Sequence, residues 1–149
     1  VVTVDLVTGD GQFIKVGSPP SFIRTGRDVK VIRSASLPAG IFDAIEVEKT
    51  PFRFSDGDLL VMVSDGVLNS VESPTGKEEW VVSAISRMST DEPGEVARFI
   101  LDRARQHAKG KVSDDMTVLV GRVHRQQPAR RISKEPLCLN GREFTGKGA

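Results

Sequence analysis

Apolar positions in the first third of the chain recur at every second residue. Val2, Val4 and Leu6 alternate with polar or small neighbours, Thr8-Gly9-Asp10-Gly11 supplies turn residues, and Phe13-Ile14-Lys15-Val16 resumes the extended pattern. This predicts a β-hairpin. Gly17-Ser18-Pro19-Pro20 interrupts it, because two prolines remove ladder donors and fix the backbone. Ser21-Phe22-Ile23-Arg24 and Val29-Lys30-Val31-Ile32 then flank Thr25-Gly26-Arg27-Asp28 as a second hairpin, with Phe22 and Ile23 expected in the core. Beyond a Leu37-Pro38-Ala39-Gly40 loop, Ile45-Glu46-Val47-Glu48 alternates again. Phe52 and Phe54 lead into Ser55-Asp56-Gly57-Asp58, which has the spacing of a simple hairpin loop with Asp58 in solvent. Leu59 to Val63 is apolar on both faces, as a strand buried between layers must be.

The period changes from two to 3.6 only after this point. Thr75 with Glu78 three residues on forms a capping-box pattern, and Val81, Ala84, Ile85 and Met88 follow at helical spacing. A second helix starts after Asp91-Glu92-Pro93, carries Ala97, Ile100, Leu101 and Ala104 on one face, and ends at Lys109-Gly110. One more strand closes the order, from Thr117 to Val123. Consecutive strands with helices grouped late predict an α+β architecture on antiparallel pairing rather than a doubly wound parallel sheet. Residues 1–124 read as the folded part. Residues 125–149 are polar and breaker-rich and read as a flexible tail.

Composition narrows the possibilities without choosing among them. A chain of 149 residues with 38% hydrophobic content suits one modest domain, and 21 basic against 20 acidic residues leave a net charge of +1. No basic field argues for nucleic acid. The single cysteine, Cys138, can form neither an internal disulfide nor a cysteine zinc cluster, so a reducing, cytoplasmic setting is expected. The longest apolar run, Leu59 to Val63, is far short of the ~20 residues that span a bilayer. The chain opens on Val1-Val2-Thr3-Val4, already inside a strand pattern, and reads as a fragment of a longer protein.

Two acidic sites stand out by position. Asp65 ends the apolar strand at Ser64-Asp65-Gly66, and Asp114 and Asp115 in Ser113-Asp114-Asp115-Met116-Thr117 precede the next. If those strands are neighbours, the carboxylates meet at one rim. Clustered carboxylates without nearby His or Cys favour hard, oxygen-seeking ions such as Mg²⁺ or Mn²⁺. Gly66 allows the close backbone approach that such a rim needs. The plainer readings are an N-cap role for Asp65 on a short helix from Val67 to Asn69, and a solvated acidic loop at Asp114 and Asp115. Ser55-Asp56-Gly57 repeats the Ser-Asp-Gly triplet where only turn chemistry is expected, so strand position singles out Asp65 more than the dipeptide does. Trp80 reads as a packing residue. The isolated His107 and His124 read as structural or solvent-facing, and Arg130 and Arg131 as solvated.

Together, Ser64-Asp65-Gly66-Val67 and Ser113-Asp114-Asp115-Met116-Thr117-Val118, bracketing two helices, resemble the two C-terminal motifs of the PPM (protein phosphatase 2C-like) family. Asp5-Leu6-Val7-Thr8-Gly9, Lys15 to Ile23 and Leu37-Pro38-Ala39-Gly40-Ile41 resemble its bacterial, sigma-factor-regulating branch. The Gly17-Ser18 form is similar to the sporulation type, and the likeness runs from about Val1 to Val123. The resemblance implies the C-terminal part of a layered β-sandwich flanked by helices, which hydrolyses phosphoserine or phosphothreonine with a binuclear Mn²⁺ or Mg²⁺ centre. Its substrate would be a phosphorylated anti-sigma factor antagonist. It further implies Asp65 and Asp114 as ligands acting through metal-activated water, Gly66 at the first site and Asp115 in an outer, supporting position.

Family members also carry an N-terminal Asp-Gly-x-Gly motif whose Asp bridges both metals. Gly9-Asp10-Gly11-Gln12 is no substitute, since it falls in the first predicted hairpin. These residues alone are therefore expected to bind metal weakly and to be inactive. The parent protein is expected to be anchored in the cell membrane through an N-terminal region, with this part in the cytoplasm. A homodimer is compatible with the sequence. Two other classes stay open: a noncatalytic PPM-like module that only binds a partner, and a small β-rich binding domain with coincidental acidic loops.

Overall fold

A computed structural model describes residues 1–33, 40, 47–72, 76–109 and 114–124. Among the described residues, seven strands form two antiparallel sheets. β1 (Val2–Val4), β2 (Asp10–Ile14) and β5 (Lys49–Arg53) make a three-stranded sheet in the order β1-β2-β5. β3 (Ser21–Thr25), β4 (Asp28–Ile32), β6 (Leu59–Val63) and β7 (Val118–Arg122) make a four-stranded one in the order β4-β3-β6-β7. Among the described residues, three helices follow β6: α1 (Asp65–Leu68), α2 (Glu79–Arg87) and α3 (Pro93–His107).

The alternation of side chains across a strand explains the layers. On β3, Ile23 faces the three-stranded sheet and joins Phe13, Ile32, Phe54 and Val123 in one core. Phe22 faces the opposite way and joins Leu59, Val61 and Val63 of β6 against Val81 and Ile85 of α2 and Val96, Ile100 and Ala104 of α3. The result is sheet on sheet on helices, the α+β architecture that the residue pattern predicts and the layered sandwich that the family resemblance implies. Leu59 to Val63 is apolar throughout because Leu60 packs on the first core while its neighbours fill the second.

Both expected hairpins form, with Val4 opposite Gly11 and Thr25 opposite Asp28. The first turn closes earlier than the composition suggested. The Asp5 carboxylate accepts the Val7 and Thr8 amides at 2.8 and 3.1 Å, which holds it below the usual carboxylate range. Leu6 thus lies in an exposed turn, and Asp10 already belongs to β2. Val47 and Glu48 precede β5 instead of forming a strand, while Ile45, Glu46, Leu37 to Ala39, Thr75, Ser113 and the tail lie outside the described residues. Pro51 is accommodated because β5 is the edge of its sheet among the described residues. Glu78 makes no side-chain cap for α2 and instead accepts Arg33 Nε at 2.9 Å. Pro93 starts α3 as expected, but Val96 rather than Ala97 is its fully buried first-turn residue.

Ser55 to Asp58 is a turn but not a hairpin loop, since it joins strands of different sheets. Asp58 is also not in solvent. It is 3% exposed, and its carboxylate accepts the Ser55 amide at 2.8 Å, closing the crossover. Gly57 supplies the positive φ of 88° that this turn requires.

Lys15 carries an unusual burden for a lysine. The residue is 6% exposed, and its ammonium donates to the Pro19 carbonyl and, at 3.0 Å, to Ser21 Oγ, tying the Gly17-to-Pro20 segment to β3. Burial pushes its pKa below the ordinary 10.5. Between that lowered value and 10.5 the unfolded chain holds a proton that the folded chain has released, so stability rises with pH across the window. Urea-unfolding midpoints should therefore climb toward pH 10.5 in the wild type. A Lys15→Met chain that climbs equally would show that Lys15 is not the group responsible.

Candidate functional site

The candidate site lies where β6 ends and β7 begins. The two strands are antiparallel neighbours, with Val63 opposite Val118, so the residue after one strand and the residues before the other meet at a common rim. Asp65 is the first residue of α1 rather than its N-cap, which is Ser64. Its carboxylate accepts the Gly66 amide at 3.1 Å, and Asp114 Oδ1 accepts the Asp115 amide at 2.8 Å. Asp65, Asp114 and Asp115 are all exposed.

Ser64 stitches the two segments together. Its amide donates to the Thr117 carbonyl at 3.0 Å, its hydroxyl donates to the Asp115 carbonyl at 2.8 Å, and the same oxygen accepts the Thr117 amide at 2.9 Å. The sequence quoted this serine in the motif without a role. Because one hydroxyl can serve as donor and acceptor at once, it replaces the next rung of the β6-β7 ladder where the chains diverge.

Gly66 then closes the contact. A Cβ at this position would stand 2.4 Å from the Asp115 carbonyl oxygen, 3.0 Å from the Asp115 carbonyl carbon and 3.1 Å from that of Asp114. Its backbone needs no left-handed conformation, unlike Gly57 in the other Ser-Asp-Gly triplet. The same dipeptide thus serves two purposes: conformational freedom at Asp56-Gly57 and close approach at Asp65-Gly66. The second brings two acidic segments, distant in sequence, into main-chain contact.

The donor chemistry of this rim fits a hard divalent cation, because it offers carboxylate oxygens and lacks imidazole or thiolate. Among the described residues no group of three or more His, Cys, Asp or Glu comes together to hold a metal ion. Asp10, in the Gly9-to-Gln12 segment, lies on β2 beside Arg53 at 3.8 Å, and Gly11 sits under Thr3 and Phe54, so that segment is structural. Phe22 and Ile23 are fully buried, and His124 is exposed.

The family model for stage II sporulation protein E matches residues 1–124. The chain belongs to the stage II sporulation protein E family. It is 33% identical to stage II sporulation protein E of Bacillus subtilis (strain 168) and 34% identical to that of Priestia megaterium, each over 125 residues and 84% of this chain. It spans only 15% and 21% of the lengths of those relatives. Among solved structures, the Mn-presoaked phosphatase domain of the cell fate determinant SpoIIE from B. subtilis superposes with a TM-score of 0.74 at 30% identity, over 86% of this chain and 57% of that one. The fold is thus that of part of a PP2C phosphatase domain, in agreement with the expected resemblance. Among the described residues no helix is long and apolar enough to cross a membrane.

Proposed function

We propose that this chain is part of a metal-dependent phosphoserine/phosphothreonine protein phosphatase of the sporulation type. Its substrate is a phosphorylated anti-sigma factor antagonist, and it acts as a cytoplasmic domain of a membrane-anchored parent. The observation that carries the reading is the contact of Gly66 with the Asp114-Asp115 backbone, which sets Asp65 and Asp114 on one rim of a phosphatase-type fold. Asp65 and Asp114 would hold Mn²⁺ or Mg²⁺ in a binuclear centre, with Gly66 shaping the first site. Asp115 has an outer role through its carbonyl, which anchors Ser64. When bound, the ions supply Lewis-acid polarisation of the phosphoryl oxygens and a lowered pKa for water. The protein's part is to fix the carboxylates. The hydrogen bonds that Asp65 and Asp114 accept from their neighbouring amides hold each carboxylate before any ion arrives.

Two carboxylates are few for an ion that takes about six oxygen ligands. The 149-residue chain alone is therefore expected to bind Mn²⁺ weakly and to release no phosphate. In the full-length protein, Asp65→Asn and Asp114→Asn should each lower Mn²⁺ affinity by about tenfold or more, read by electron paramagnetic resonance. Phosphate release should fall with it and thermal unfolding should stay near wild type. Unchanged affinity and turnover in both variants would remove these residues from the centre. Lost affinity with no phosphatase activity in the wild type would favour a noncatalytic partner-binding module of the same fold.

A further inference from the structure

Helices α2 and α3 leave an open cleft of about 430 Å³ between them, and none of the Asp65 rim residues lines it. Its apolar wall is made by Trp80, Met88 and Phe99, and Phe99 is 38% exposed although large and aromatic. Arg87, Arg103 and His107 complete it, and none of the lining residues is acidic. Both arginines are exposed, and neither forms an ion pair with a described carboxylate. Arg103 instead lies over the Phe99 ring, its guanidinium carbon 5.6 Å from the centroid.

A second observation comes from the cleft floor. Trp80 and His107 meet edge to face with ring centroids 5.0 Å apart, and Trp80 Nε1 and His107 Nδ1 are buried without a hydrogen-bond partner among the described residues. Buried polar atoms are normally satisfied, so two unpartnered nitrogens on residues of one cleft leave the local hydrogen bonding incomplete among the described residues. Tryptophan, arginine, methionine and phenylalanine are also the residue types enriched at protein interfaces.

We propose that the α2-α3 cleft is a docking groove for an acidic segment of a partner protein, one that places an apolar anchor between Trp80 and Phe99 and carboxylates against Arg87 and Arg103. Charge selects this occupant. The chain's own residues 125–149 contain six basic and two acidic side chains and would be repelled by the two arginines. The groove is independent of the phosphatase reading, since no metal-site residue lines it.

Trp80 is the only tryptophan and reports directly on the groove. The test titrates the 149-residue chain with a synthetic amphipathic peptide bearing leucines at helical spacing between glutamates, following Trp80 fluorescence. Saturable binding is expected. Replacing every glutamate of the peptide by lysine should weaken it at least tenfold, and so should Arg87→Glu combined with Arg103→Glu. Both arginines are exposed, and circular dichroism should confirm that the double variant keeps its fold. No saturable change with the acidic peptide, equal binding of the lysine version, or indifference to the double reversal would each overturn the proposal. Saturable binding of 2-naphthoate without binding of the acidic peptide would overturn it in favour of a small-molecule pocket.

Discussion

Gly66→Ala should destabilise the fold by about 3 kcal/mol, at the upper end of the usual overpacking range, because the added methyl meets atoms that cannot turn away. Its Cβ would stand 2.4 Å from the Asp115 carbonyl oxygen, well inside contact distance, and the three nearest atoms all belong to the main chain. Relief requires α1 to move off the Asp114-Asp115 segment. That movement would lengthen the two bonds of the Ser64 hydroxyl and the Ser64 amide bond to Thr117, so site geometry and stability should fail together. Gly121→Ala is the matched control, since a Cβ there meets nothing within 4 Å. Thermal unfolding should separate the two variants clearly, with Gly121→Ala within about 0.5 kcal/mol of wild type. Amide shifts at Thr117 should move only for Gly66→Ala. If the two alanines prove equally mild, the rim does not rest on this contact.

What made the rim readable was strand position. An apolar run ending in Asp65 and another beginning after Asp115 needed only antiparallel adjacency to place both acidic segments together, and β6 and β7 are adjacent. The fold was readable for the same reason: alternation in β3 and β6 assigns Ile23 and Phe22 to opposite cores. Where the reading failed, the cause lies in long-range pairing. The Ser55-to-Asp58 turn looked like a hairpin because local spacing cannot reveal that β5 pairs with β2 while β6 pairs with β3. Asp58 looked solvated because an aspartate in a turn usually is, yet the crossover between sheets buries it and its carboxylate closes the turn. Ser64 was read as motif without function, since a hydroxyl that bridges two segments has no signature until both are in place. The α2-α3 cleft was invisible for a related reason. Trp80 read as a packing residue and His107 as an isolated one, and only the packing of two helices makes them neighbours.

Arg24 lies two residues beyond Phe22 on β3, on the same face, and its replacement should be the most damaging. It is 3% exposed beneath the end of α2. Its guanidinium donates to the carbonyls of Ile85 at 3.1 Å, Met88 at 3.3 Å and Thr90 at 2.9 Å, and also to the Asp91 carboxylate. A helix end leaves carbonyls without partners and carries partial negative charge, so a buried cation at this point satisfies both. Arg24→Met keeps the length and apolar bulk but removes the donors. The expected loss is about 3–5 kcal/mol, as for removal of one partner from a buried charged network, with the thermal midpoint falling by about 10 °C or more. Asp91→Asn separates the contributions. Asp91 is 52% exposed, and the three carbonyls would keep their donor, so that change should cost about 1 kcal/mol or less. Comparable losses in the two variants would assign the stability to the ion pair, and a loss below about 1 kcal/mol for Arg24→Met would show that water can take over the carbonyls. The expected inequality follows from where the charge sits: strand β3 delivers a cation to the end of a helix, and the cost of removing it is set mainly by the backbone groups left buried.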